Sequence, residues 1–264
     1  MRLAIDVHLD YGFPAPADVL LQIEAALLPD QRIVEAVMDV FSDHPIRAVP
    51  GEEGIGQRCW ARGDGRLVVD YRALIDVDRP VVALEAYAAT PIRMLPGPVT
   101  AYLLPSRYCQ SDRLEGFVLR EFAGLDGGPL AAALAAWVEG AIDYRSGSSM
   151  GETTALDTFA TRAGVCRDYA HLLVALARGG GIPARCVSAY APGVDPPDFH
   201  AVAELWLEGA WRLVDATGMA RCQDIARVGV GRDATDIAFM TIFGSAWLQR
   251  QEVRVRAVQE RAAD

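Results

Sequence analysis

The sequence predicts an α+β protein. An N-terminal antiparallel β-sandwich is expected over residues 1–100, followed over 101–264 by an α+β core of helices and then antiparallel strands. Three observations lead there. Before residue 100, short runs of partly alternating hydrophobicity are separated by turn signals, as in a sandwich. Between about 112 and 177 the hydrophobic period becomes helical. After Pro183, strand-like runs return.

Taken in order, Arg2–Leu9 alternates in part, Val19–Leu28 carries a long apolar run, and Arg66–Ile75 has a clear period of two. Turns are signalled at Tyr11–Pro16, Pro50–Gly56 and Arg62–Gly65. The proline-rich stretch Thr90–Pro105 reads as a linker. Asp112–Phe122 is amphipathic, and Leu130–Ile142 is an alanine-rich helix started by Gly127-Gly128-Pro129. Arg145–Gly151 is a loop and Thr153–Thr161 a short helix. A further helix runs from Cys166 to about Ala177 and stops at Gly179-Gly180-Gly181. Strands follow at Ala184–Tyr190, His200–Leu207 and Ala210–Asp215, the last two joined by a turn at Gly209. Two more lie near Ile225–Val230 and Glu252–Val258.

Composition narrows the function. Hydrophobic residues make up 52% of the 264, enough for a sizeable core. No run approaches the roughly 20 apolar residues of a membrane span, and Arg2, Asp6 and Asp10 interrupt any signal-peptide core, so a cytoplasmic protein is expected. A net charge of −10 repels phosphate backbones, so nucleic acid is a poor partner. Five cysteines without a CxxC spacing argue against a disulfide framework and a structural zinc site, and suit free thiols in a reducing compartment. There is no Asn, which excludes a Cys-His-Asn site, and no Lys, which excludes Schiff-base chemistry.

Cys166 has the most suggestive setting. It follows Gly164-Val165 and opens a helix, where the macrodipole favours a thiolate and unpaired N–H groups can hold an oxyanion. A buried packing cysteine fits that setting about as well. A thiolate nucleophile needs a base. Of four histidines, His8 and His44 lie far back in the strand region, and His171 points to another face of the same helix. His200, at the start of a strand, is the best candidate. The orienting acceptor must then be Asp or Glu. Asp215 ends the partner strand of that hairpin, so it falls near His200, although on spacing alone a plain turn residue before Ala216-Thr217-Gly218 is the better reading of it.

The run GVCRDYAHLLVALARGGGIPARCVSAYAPG, followed by FHAVAELWLEGAWRLVDATG, resembles the transglutaminase-like superfamily of cysteine enzymes. Cys166, Gly181-Ile182-Pro183-Ala184-Arg185, His200-Ala201-Val202 and Trp211…Asp215-Ala216-Thr217 match that family's elements in order. Trp137–Tyr144 and Gly231-Arg232-Asp233…Asp236 look like its bacterial branch. The similarity is strong over residues 130–218 and weaker before them, where it implies the β-sandwich. It implies a papain-like core, with the cysteine helix packed on an antiparallel sheet and Cys166, His200 and Asp215 as the catalytic triad. The activity implied is hydrolysis of a peptide or isopeptide bond through a thioester on Cys166. Protein-glutamine transamidation uses the same triad and stays open, as does a binding module without catalysis. The substrate is expected to be a peptide, protein or small amide, with no cofactor or metal.

Papain-type enzymes hold the oxyanion with a Gln before the cysteine, whereas Ala160 stands there in this chain; Tyr144 is the candidate replacement. Asp168 is read as a cap, a partner of Arg167 or a residue of the substrate cleft. Trp206, Trp211, Cys186 and Cys222 read as packing. Gly147-Ser148-Ser149-Met150-Gly151 matches G-x-S-x-G without the strand–turn–helix context that motif needs.

Overall fold

Alternation builds the N-terminal half. In the computed structural model, which describes residues 1–42 and 44–258, β1 (Arg2–Gly12) buries Leu3, Ile5, Val7 and Leu9 and turns the intervening residues outward. It is followed by β2 (Ala17–Leu21), β3 (Gln31–Phe41), β4 (Arg47–Pro50), β5 (Gln57–Gly63) and β6 (Arg66–Val77). β6 alternates over its whole length, with Leu67, Val69, Tyr71, Ala73, Ile75 and Val77 facing the core.

A connecting stretch contains α1 (Gly97–Thr100) and several single turns. It is no free linker: Tyr102 is buried edge-on to Trp211 at 5.3 Å, and Leu84 and Tyr87 pack on the core. Then come α2 (Glu115–Glu121), α3 (Gly127–Ala141), β7 (Asp143–Tyr144), α4 (Ala155–Thr161), β8 (Ala163–Gly164) and α5 (Cys166–Gly179). The sheet strands β9 (Ala184–Tyr190), β10 (His200–Leu207), β11 (Ala210–Val214) and β12 (Ala226–Gly231) follow. The last elements are α6 (Ala234–Ile237), β13 (Met240–Phe243) and β14 (Trp247–Val258).

The strands form three four-stranded antiparallel sheets. The order β14-β1-β6-β3 faces β13-β2-β5-β4 across the sandwich core, and β11-β10-β9-β12 forms the sheet of the second half. The sequence placed the tail in the 101–264 core. Instead β13 pairs with β2 and β14 with β1, from Arg2↔Val258 to Gly12↔Trp247, so residues 240–258 complete the sandwich. Pairing between strands so far apart in the chain leaves no local signature that tells a strand which sheet it joins.

α5 lies on the β9–β10 face as the central helix. Leu172, Leu173, Val174 and Leu176 are fully buried there, each contributing roughly 1.5–3 kcal/mol. The helix that carries Cys166 is therefore anchored along its length.

The two halves share a charge network. Glu204 on β10 is fully buried and accepts from Arg185 Nε at 2.8 Å and from Arg227. Arg227 also reaches Asp30, and Arg185 reaches Glu53 at 2.9 Å. Glu53 sits on a turn of the sandwich half with φ at 56°, and also accepts the Tyr102 hydroxyl. A non-glycine residue in that left-handed region is strained, and here the two partners of its carboxylate hold it.

Candidate active site

Three elements bring the site together. The two-residue parallel ladder of β7 and β8 sets Tyr144 opposite Gly164, and Cys166 begins α5 two residues later. Gly164 is required by close approach: a Cβ there would lie 2.7 Å from Cβ of Asp168. Asp168 is fully buried, and its Oδ2 accepts the Val165 N–H at 2.8 Å while Oδ1 accepts the Ser149 hydroxyl at 2.9 Å. Of the sequence readings of Asp168, its position suits both the cap and the partner of Arg167, whose guanidinium lies 3.6 Å from Oδ1; fully buried, it presents no surface to a substrate cleft. Ser149, the centre of the G-x-S-x-G match, is spent on the same cap and on Arg167 at 2.6 Å.

Cys166 is half-buried, and its thiol donates to the Phe199 carbonyl at 3.9 Å. The neighbouring His200 side chain is buried. Its Nε2 faces Asp215 Oδ2 at 2.9 Å, so in the neutral ring that nitrogen carries the proton and Nδ1 is left as the acceptor. Nδ1 makes no hydrogen bond with the thiol in its present rotamer. Rotation of the S–H away from Phe199 would offer it the proton, as often happens only when substrate arrives.

Asp215 follows β11. Besides His200 it accepts the Thr217 N–H at 2.9 Å, the Thr217 hydroxyl at 2.7 Å and the Ala220 N–H at 3.0 Å. Thr217 thus explains the Asp-x-Thr spacing: it holds the carboxylate that holds the ring. Burial raises the Asp215 pKa, but the hydrogen bond and charge of His200 and the donors from Thr217 outweigh it and leave it below the usual carboxylate value. Burial pulls His200 down, yet the hydrogen bond to Asp215 and the neighbouring Cys166 raise it to about 9.

A folded-state pKa of about 9 against 6.5 in the unfolded chain stabilises the fold by up to about 3 kcal/mol. That contribution is complete below pH 6.5 and is lost as pH rises through about 9. Urea midpoints of the wild type are expected to fall across this window, while His200→Gln is expected to show no such slope. An equal slope in both would remove His200 as its source.

Tyr144 borders the same thiol. Burial first, then the charge of Cys166, raise its hydroxyl to about 12, and the Cys166 backbone N–H is a further neighbour. The neutral phenol therefore sits beside the N–H at the helix start, where two donors can converge on one oxygen.

His171 is sealed in the core, stacked on Tyr108 at 5.1 Å, and its Nε2 accepts the Ala234 N–H at 3.0 Å. Burial lowers its pKa to about 3, so it stays neutral. Sequence spacing did not disclose that a ring nitrogen of His171 and the sulfurs of Cys109 and Cys186 lie within 4.8 Å of one another. With Nε2 occupied, the ring proton rests on Nδ1, and burial raises the Cys186 thiol, so the trio is neutral packing. Trp206 and Trp211 are cross-strand partners, edge to face at 5.2 Å.

A half-buried thiol at a helix start, a buried imidazole and a carboxylate, mounted on an α+β core, are the parts a cysteine enzyme needs. The comparisons agree. Residues 125–216 match the core of the transglutaminase-like superfamily. A crystal structure of a candidate cysteine protease from Cytophaga hutchinsonii superposes with a TM-score of 0.93 at 30% identity, covering 100% of this chain and 92% of that one. The chain belongs to the transglutaminase-like superfamily. Uncharacterized proteins of Mycobacterium leprae and Mycobacterium tuberculosis are 34% and 33% identical over 114 and 109 residues, or 40% and 36% of this chain. The matches span 41% and 35% of the length of those curated relatives. Among the described residues, no helix is long and apolar enough to cross a membrane.

Proposed function

We propose that the protein is a cysteine-dependent amide-bond enzyme that hydrolyses a peptide or isopeptide bond. The observation that carries this reading is the His200 ring, fixed by Asp215 through Nε2 and open through Nδ1 on the side of Cys166. In the proposed cycle the Cys166 thiol gives its proton to Nδ1 and the sulfur attacks the amide carbon. The oxyanion lies against the Cys166 N–H and the Tyr144 hydroxyl. The His200 imidazolium then protonates the leaving amine, and a thioester remains on Cys166. Water, deprotonated by His200, releases the acid and regenerates the thiol.

Transamidation differs only in the second nucleophile, so the test is partitioning. A glutamine-containing peptide is incubated with the enzyme and increasing methylamine, and products are weighed by mass spectrometry. Carboxylic acid is expected to dominate at every amine concentration. A methylamide that grows in proportion to amine would move the assignment to acyl transfer.

A further inference from the structure

Asp198 stands two residues before His200, about 7 Å along an extended chain. It adjoins Phe199, whose carbonyl receives the Cys166 thiol and whose ring stacks on Phe239 at 4.2 Å, pinning this stretch to the sandwich. The Asp198 charge reaches the hydroxyls of both Tyr144, beside the nucleophile, and Tyr11, on β1, so the carboxylate lies where the two halves meet at the site.

Its hydrogen bonds are confined to one oxygen. Oδ1 accepts the Phe199 N–H at 2.8 Å and the Gln251 side chain of β14 at 2.7 Å, while Oδ2 has no partner among the described residues. No arginine pairs with it there. Arg254 and Arg256, across the adjoining depression, are committed to Glu252 at 2.9 Å and Asp6 at 3.2 Å. Asp198 is exposed, and the partial desolvation by its neighbours raises its pKa above the usual carboxylate value.

We propose that Asp198 is a specificity residue and that the substrate carries a guanidinium or ammonium group within two residues of the scissile amide. This rests on the reading of Cys166 as the nucleophile. In that pose the cation meets Oδ2 while the carbonyl carbon meets the sulfur, and Gln251 keeps the carboxylate oriented.

The test needs no known substrate. Cys166 is thiolated with cationic aminoethyl, anionic sulfonatoethyl and neutral methyl methanethiosulfonate at low salt, and the labelled peptide is quantified by mass spectrometry. Normalised to the neutral reagent, the cationic one is expected to react at least ten-fold faster than the anionic. Asp198→Asn should lower that ratio by roughly ten-fold, as the loss of one charge beside the site allows. Asp198→Glu should retain it, and Asp195→Asn in the same loop should leave it nearly unchanged. An unchanged ratio in Asp198→Asn, or an equal loss in Asp195→Asn, overturns the proposal and leaves the cysteine reading intact. A Cys166 inert to all three reagents overturns the cysteine reading itself.

Discussion

Replacing Cys166 with Ala is expected to remove thiol-dependent turnover of any amide the wild type cleaves, by about 10⁴-fold or more. In the proposed cycle the sulfur is the atom that forms the thioester, and no second thiol can take its place. Cys59, Cys109 and Cys186 are buried, and the Cys222 thiol is turned to the Leu213 carbonyl at 3.1 Å. The loss should be chemical and not structural. Cys166 is half-buried at the first turn of α5, so its truncation opens little cavity, and Ala is a good helix former. The decisive comparison is kcat/KM beside the urea midpoint. Turnover that survives in a variant with an unshifted midpoint would falsify the assignment of the nucleophile.

The second large effect falls on stability. Glu204→Ala is expected to cost about 3–5 kcal/mol, because it leaves the guanidiniums of Arg185 and Arg227 facing an interior without the carboxylate between them. Arg185 is 2% exposed and stacks over Trp211 at 4.1 Å, so it cannot swing out to water without giving up that packing. Glu53 and Asp30 remain, but each lies near the surface and already serves other donors. Urea unfolding measures the change. A loss below about 1 kcal/mol would mean that the network is satisfied without Glu204.

Much of this molecule can be read from residues in a line. β6 announces itself because strict alternation from Leu67 to Val77 survives intact. β3 does not, because a register shift between Ile33 and Glu35 breaks its period. The prolines before Pro105 suggested a linker, since sequence shows where a helix cannot run but not that Tyr102 is buried against Trp211. At the site, a helix start, a strand start and a hairpin end made Cys166, His200 and Asp215 candidates, but Cys166 also suited packing and Asp215 a turn, and only the family resemblance joined the three. The three options for Asp168 were not separable by spacing; only the closeness of Gly164 and Ser149 distinguishes a cap from a cleft residue. Asp198 was one acid among 35. What singles it out is the cation that fails to face it, a property of the assembled seam.

The turn bearing Glu53 also bears on how such proteins can be recombined. A chimera that grafted another relative's sandwich onto this core would lose the carboxylate that meets Arg185 and Tyr102, unless residues 52–54 travelled with the core. The crossover point of a working hybrid is therefore set by electrostatic bookkeeping across the seam and not by the proline-rich stretch where the chain changes character.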